Sequence, residues 1–236
     1  MTVLKLENIN AFYGQSQALA NISIAVQEGE FVTILGANGA GKSTIMKTIM
    51  GLVKARSGSI SFQGRDIINR PPWERASIGI GYVPEGRRVF PDLTVEENLR
   101  MGAYCVKDNR VVANNIEKSY ELFPRLKERR SQLAKTMSGG EQQMLAIARA
   151  LMLNPRLLLI DEISMGLMPI LVNHSLSIVK KLNSAGLTVL MVEQNASKAL
   201  SVADRGYILK TGKITMHDSS ANLRNNAEVV KAYLGE

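Results

Sequence analysis

An α/β fold with a helical insertion is what the sequence predicts, and three observations predict it. "RLLLI" (156–160) and "LTVLMVE" (187–193) are short, nearly all-apolar runs, as strands of a parallel sheet covered on both faces must be. Stretches of helical spacing separate such runs, giving a β–helix–β order at both ends of the chain. Between residues 85 and 154 the pattern turns mostly helical. The expected organisation is one domain over residues 1–236, its core formed by 1–84 and 155–236 and its helical part by 85–154.

The elements follow in order. "VLKLENINAFY" and "ALANISIAVQ" alternate apolar and polar residues and read as strands, with a turn at Glu28-Gly29 into "EFVTILG". "STIMKTIMGL" has helical spacing and stops at Gly51. "GSISFQG" and "IGIGYVPE" read as further strands. "TVEENLRMGAY" opens with a capping box, Thr94 ahead of Glu97, and "VVANNIEKSYELF" and "SGGEQQMLAIARALMLN" continue the helical part. Met144, Leu145, Ala148 and Leu151 fall on one stripe of the last of these and are assigned to the core. A helix from Ile170 to Ser184 separates the two apolar strands, and "YILKTGKITMH" reads as a closing hairpin around Thr211-Gly212.

At 236 residues and 45% hydrophobic content the chain is long enough to bury a real core. The net charge of +8 suits an anionic partner, whether nucleotide, nucleic acid or lipid surface, or else a solvated basic surface. Cys105 is the only cysteine, which excludes an internal disulfide and suits a reducing compartment; it is expected to be a small packing residue. No run is apolar enough to span a bilayer, so any membrane link is expected through a partner, on the cytoplasmic side. Trp73 is expected to pack over the edge of a subdomain.

One turn carries chemistry. Gly36-Ala37-Asn38-Gly39-Ala40-Gly41-Lys42-Ser43 matches G-x-x-x-x-G-K-[ST] residue for residue, with a strand before it and a helix after it, and Thr44 follows. Backbone N–H groups of such a loop point inward as an anion nest, and the helix N-terminus adds positive potential. Lys42 is placed to reach the outer phosphates and the Ser43 hydroxyl to ligate Mg2+. Asp161 and Glu162 emerge at the carboxyl end of the "RLLLI" strand, where α/β folds bind ligands. Asp161 is assigned to the Mg2+ shell and Glu162 to the attacking water.

"MSGGEQQMLAIARAL" is the deciding piece. Ser138 and Glu141 form a capping box, yet Gly139 and Gly140 in the first turn are poor helix formers, which makes sense if naked backbone must approach a phosphate closely. Together "GANGAGKST", "MSGGEQQ" and "LLLIDE", with Tyr13 as an early aromatic, resemble the ATP-binding subunit of an ABC transporter along the whole length. "VPEGRRVFPDLTVEENLRMGAY", "FPRLKERR" and "VEQNA" are similar to the smaller ATPase subunit of branched-chain amino-acid importers and their urea and amide relatives. The resemblance implies a P-loop NTPase core of RecA-like type, with an N-terminal antiparallel β-subdomain and an inserted α-helical signature subdomain. It implies ATP and Mg2+ as ligands, Tyr13 stacked on adenine, Glu85 reaching Mg2+ through water together with Ser43 and Asp161, and Gln194 on the γ-phosphate. It also implies a head-to-tail pairing with a second ATP-binding subunit, whether a copy or a sister ATPase. In that pair Ser138, Gly139, Gly140 and Glu141 of one subunit face the phosphates held by the other. Permease subunits and, indirectly, an extracytoplasmic solute-binding protein complete the implied assembly, and Glu85–Phe90 links nucleotide to permease.

Departures from the wider family pattern are specific. Glu85 replaces the usual Gln and adds a carboxylate beside Asp161 and Glu162; the most similar subfamily shares it. Gln194 stands where many relatives have a His, so γ-phosphate sensing rests on a neutral amide. Ile163 and Met165 replace Pro and Leu after the acidic pair. Arg87 and Arg88 are open to the γ-phosphate region, a permease loop or solvent. The rival reading, a soluble ABC-type ATPase acting on nucleic acid or ribosomes, expects a second glycine loop or long heptad segments; the chain has neither, and nucleic acid is not an expected partner. A regulator that binds nucleotide without hydrolysis conflicts with the Glu162 carboxylate.

Overall fold

The computed structural model describes residues 1–164, 166 and 168–234. Strands β1 (Thr2–Tyr13) and β2 (Ser16–Gln27) form a hairpin that leads into β3 (Phe31–Leu35), the glycine loop and helix α1 (Lys42–Ile49). Then come β4 (Ala55–Phe62), β5 (Arg65–Asp66), α2 (Pro72–Ser77) and β6 (Ile80–Val83). Helices α3 (Val95–Gly102), α4 (Asn109–Leu122), α5 (Pro124–Glu128) and α6 (Gly139–Leu151) follow without a strand between them. The chain returns through β7 (Leu157–Asp161), α7 (Pro169–Ser184), β8 (Thr188–Glu193), α8 (Ala196–Val202), the hairpin β9 (Arg205–Lys210) and β10 (Lys213–Ser219), and α9 (Ser220–Asn225).

Two sheets result. The first has the order β2-β1-β4-β5 with antiparallel neighbours, and its alternation shows in buried Leu4 and Leu6 against exposed Lys5 and Glu7. The second has the order β10-β9-β3-β8-β7-β6, parallel from β9 to β6 and closed by antiparallel β10. Every residue of β3, β7 and β8 is buried, as the continuous apolar runs require. Alternate side chains of β7 serve different cores. Leu158 and Ile160 pack with α3, α4, α6 and α7 residues, whereas Leu157 and Leu159 pack with α1 and the antiparallel sheet. Arg205 ties the two sheets, its guanidinium on Glu30 at 2.8 Å and on the carbonyl of Ala25 at 2.6 Å.

Parallel register positions the site. Leu35 lies opposite Glu193 and Asp161 opposite Val192. The loops leaving β3, β7 and β8 therefore emerge side by side at one sheet edge. Both capping boxes form: the Thr94 N–H donates to Glu97 at 2.7 Å and the Ser138 N–H to Glu141 at 2.9 Å, each answered by the reciprocal bond. The fully buried Asn98 carboxamide bonds Phe90 N–H and the carbonyls of Phe90, Leu93 and Thr94, which fixes the loop ahead of α3.

One expectation is corrected. Cys105 is exposed rather than packed, because it sits in the turn that leaves α3. Trp73, as expected, stands at a subdomain edge: 67% exposed at the first turn of the short helix α2, it lines a shallow cleft with Ala55 and Ile60 of β4. Helices α2, α5, α8 and α9 were not foreseen. Met165 lies outside the described residues.

Candidate active site

The glycine loop is built by close approach. A Cβ at Gly36 would stand 2.5 Å from the carbonyl of Leu209, and Gly41 holds φ 108°, with Ala18 O and Leu19 each 3.0 Å from where its Cβ would be. Neither position accepts a larger residue without moving the hairpin β9–β10 or β2. Gly41 ends the loop as the cap of α1, and no side chain caps that helix, so its first N–H groups remain free for an anion.

A cleft of about 570 Å3 opens over the loop. It brings together Tyr13, Asn38, Gly39, Gly41, Lys42, Ser43, Thr44, Glu85, Glu162 and Gln194. Gly36, Ala37 and Ala40 support the loop from behind, Ala40 buried and its N–H bonded to the Ala37 carbonyl at 3.1 Å. Tyr13 stands half exposed at the end of β1, beside Ser16, Gln17 and Ala18, as the outer wall. Ser138, Gly139, Gly140 and Glu141 do not line this cleft. Inside the chain the two signature glycines meet other neighbours: a Cβ at Gly139 would lie 2.6 Å from the Arg87 guanidinium, and one at Gly140 2.7 Å from Leu171. A side chain at either position would displace the Arg87 guanidinium or the Leu171 methyls, the mobile ends of their side chains.

The polar network is dense. Lys42 is 4% exposed and its ammonium donates to the carbonyls of Gly36 at 2.9 Å and Ala37 at 3.2 Å, while Glu162 pairs with it at 3.1 Å. Ser43 donates to one Asp161 oxygen at 2.9 Å and Tyr82 to the other at 3.2 Å. Burial pushes the Asp161 carboxyl up from its ordinary value; the Ser43 and Tyr82 bonds oppose that, and the charges of Glu85 and Glu162 add to it. The Tyr82 phenol is itself held far up, first by burial and then by Asp161, so it remains a donor. Glu162 adopts φ 52°, a left-handed conformation that a side chain of its size occupies only under local constraint. The Glu193 carboxylate, 1% exposed, accepts from Ser164 N–H at 3.0 Å and from its hydroxyl at 2.7 Å, and pins the turn that follows Glu162. Burial holds the Glu193 carboxyl up, against those Ser164 bonds. Arg87 reaches the Gly166 carbonyl at 3.3 Å, and Arg87 and Arg88 hold φ 68° and 42°.

Tyr82, Ser164 and Glu193 are the residues that sequence reasoning missed. Their partners are fixed by strand register, and no local pattern marks them. The donors around Ser43 are all oxygen, which suits a small hard cation. Among the described residues no three His, Cys, Asp or Glu side chains gather as a metal cage, so a divalent ion there would draw its remaining ligands from phosphate and water.

A phosphate-cradling loop, an aligned hydroxyl and carboxylate, and a second carboxylate poised at the mouth define the class of α/β nucleoside-triphosphate hydrolases. The chain belongs to the ABC transporter family, as an ATP-binding, ATP-hydrolysing subunit: the family model described as "ABC transporter" matches residues 19–164. It is 51% identical over 234 residues to the high-affinity branched-chain amino acid transport ATP-binding protein BraG of Pseudomonas aeruginosa, spanning 99% of this chain and 100% of that one. Among solved structures it resembles the ADP conformation of MJ1267, an ATP-binding cassette of an ABC transporter, with a TM-score of 0.86, 30% identity and full coverage of both chains. It also resembles the dimeric post-hydrolysis state of the ATP-binding cassette MJ0796 bound to ADP and Pi, with a TM-score of 0.82 and 28% identity over 92% of this chain and 98% of that one.

Proposed function

We propose that this chain energises uptake of a branched-chain amino acid or a similar small polar solute, as the ATPase subunit of an importer docked through permeases on the cytoplasmic face of the membrane. The observation that carries the solute class is the 51% identity to BraG along essentially the whole of both chains. Among the described residues no helix is long and apolar enough to cross a membrane, so attachment through permease subunits is the consistent arrangement.

Each residue then has a task. Tyr13 offers a face to adenine, and Asn38, Gly39 and Gly41 present backbone N–H groups to the phosphates. Lys42 exchanges its Gly36, Ala37 and Glu162 acceptors for phosphate oxygens. Glu162, released from Lys42, orients and deprotonates the attacking water. Gln194 donates an amide hydrogen to the γ-phosphate, and Glu85 reports on the same region toward the permease. Ser43 and Asp161, with Glu85 through water, are the residues that would hold Mg2+, whose charge would offset that of the phosphates. Ser138, Gly139, Gly140 and Glu141, absent from the cleft of their own chain, face the phosphates of a second ATP-binding subunit. A solute-binding protein would act only through the permeases.

The test is reconstitution of the chain with its permeases and companion ATPase in proteoliposomes loaded with ATP and Mg2+. Uptake of labelled leucine, isoleucine or valine is expected, with urea and amides as the comparison. Glu162→Gln should lower ATP turnover by about 10²–10⁴ and uptake in proportion. Turnover unchanged by Glu162→Gln would remove its catalytic role and reopen the reading as a nucleotide-binding regulator, whereas turnover stimulated by nucleic acid instead of solute would replace this reading with the soluble one.

A further inference from the structure

Asp161 is gripped from two sides by donors on different elements. Ser43, on α1, holds one carboxylate oxygen at 2.9 Å, and Tyr82, on β6, holds the other at 3.2 Å. β6 runs parallel to β7 with Tyr82 opposite Leu159, and this register delivers the phenol to the end of the neighbouring strand. Tyr82 is also a wall of a second cleft of about 240 Å3 along the edge strand β6, shared with Met50, Phe90, Met101, Gly102 and Arg149. The residue therefore touches the acidic end of the active site from outside it. We propose that Tyr82 is a positioning residue for divalent-metal binding: its hydroxyl sets the rotation of the Asp161 carboxylate so that the Ser43 side of the group faces the cation.

The reasoning is geometric. A buried carboxylate with one donor can turn about its Cβ–Cγ bond, whereas one held through both oxygens cannot. The Ser43 hydroxyl can present a lone pair to a cation and still donate its hydrogen to Asp161, so its bond survives loading. The phenol contributes no ligand of its own; it makes the carboxylate available in one orientation. Partners of this kind, one shell beyond the ligands, change metal affinity by about 10–100-fold when removed.

This inference rests on the nucleotide site proposed above. The experiment uses the full chain carrying Glu162→Gln to suppress hydrolysis, with and without Tyr82→Phe, which keeps the ring and deletes the donor. Affinity for a fluorescent ATP analogue is measured in EDTA, and Mn2+ occupancy of the ATP complex is titrated by electron paramagnetic resonance. The expected result is an EDTA affinity within about twofold of the parent and a half-saturating Mn2+ concentration raised by about tenfold. Equal Mn2+ titrations, or equal losses in EDTA and in Mn2+, would overturn the role. Tyr82→Met, which fills similar space without a donor, decides the matter if the phenylalanine variant does not fold. Absence of nucleotide binding by the parent would remove the site reading and this inference together, whereas parent binding with indifferent variants removes this inference alone.

Discussion

Glu193 shows how one side chain can carry a cost that the site requires. It sits in the fully buried strand β8, next to Gln194, with both oxygens committed to Ser164. Burial raises its folded pKa above the ordinary 4.5, so between those two values the folded chain holds a proton that the unfolded chain has released. Its contribution to stability is therefore complete below the unfolded value and is lost as pH rises through the folded one. Glu193→Gln removes that loss. We expect the variant to melt above the parent near neutral pH, with the gap closing toward pH 4.5. Calorimetric melts across this range check it; a gap that widens on acidification would contradict the sign. Sequence reasoning placed Lys42, Ser43, Asp161 and Glu162 because loop and strand end are contiguous signals. It missed Glu193, which looks like one more strand residue until Ser164 is seen to fold back onto it.

Helix α1 has only two turns, yet it must hold the glycine loop still. Its stability comes from its far end. The buried Arg75 guanidinium donates to the carbonyls of Thr48 at 2.9 Å and Ile49 at 2.7 Å, which close the helix, and to Arg70 and Ile68 at 2.8 and 2.7 Å. A cation at that end also complements the helix dipole. Gly51, at φ 74°, leaves the necessary room, since a Cβ there would lie 2.9 Å from the guanidinium. Arg75→Met keeps much of the bulk but takes the donor from the carbonyls of Ile49, Ile68 and Arg70, while Thr48 retains the Gly51 N–H at 3.1 Å, so we expect a loss of about 3 kcal/mol in urea unfolding, with Arg75→Lys recovering only part of it. ATP affinity should fall with it, because α1 carries Lys42 and Ser43. A variant as stable as the parent would show that the carbonyls find other partners. This helix was legible from its periodicity, and α3 and α6 from their capping boxes. Helices α2, α5, α8 and α9 were not, because five to seven residues give too few turns for a period to show. Only Pro72 and Pro124, at the first turns of α2 and α5, hint at where those begin.

At the scale of the whole molecule the parallel register gathers three loops over one cleft and leaves Ser138–Glu141 outside it. On the proposed function Ser138–Glu141 serve the phosphates of a second subunit, and the cassette MJ0796 to which the chain is similar is dimeric with ADP and Pi bound. The capping box supplies a clean way to test this. Ser138 accepts from the Glu141 N–H and so starts α6, and Asp caps a helix as well as Ser does. Ser138→Asp therefore keeps an acceptor for the Glu141 N–H, gives up the hydroxyl's 2.8 Å donation to the Glu141 carboxylate, and places a second carboxylate beside it, where a neighbour's phosphates would arrive. In the Glu162→Gln background with ATP, Mg2+ and the companion ATPase or a second copy, the parent is expected to pair. Ser138→Asp should weaken that pairing by about 100-fold, since like charges brought together at an interface cost several kcal/mol. Light scattering reads the pairing, and binding of a fluorescent ATP analogue by the single chain should stay within about twofold, because Ser138 is no part of its own cleft. Undiminished pairing by Ser138→Asp would place the α6 tip away from the shared phosphates, and a parallel loss of single-chain ATP binding would mean that the substitution had disturbed the fold rather than the contact between subunits.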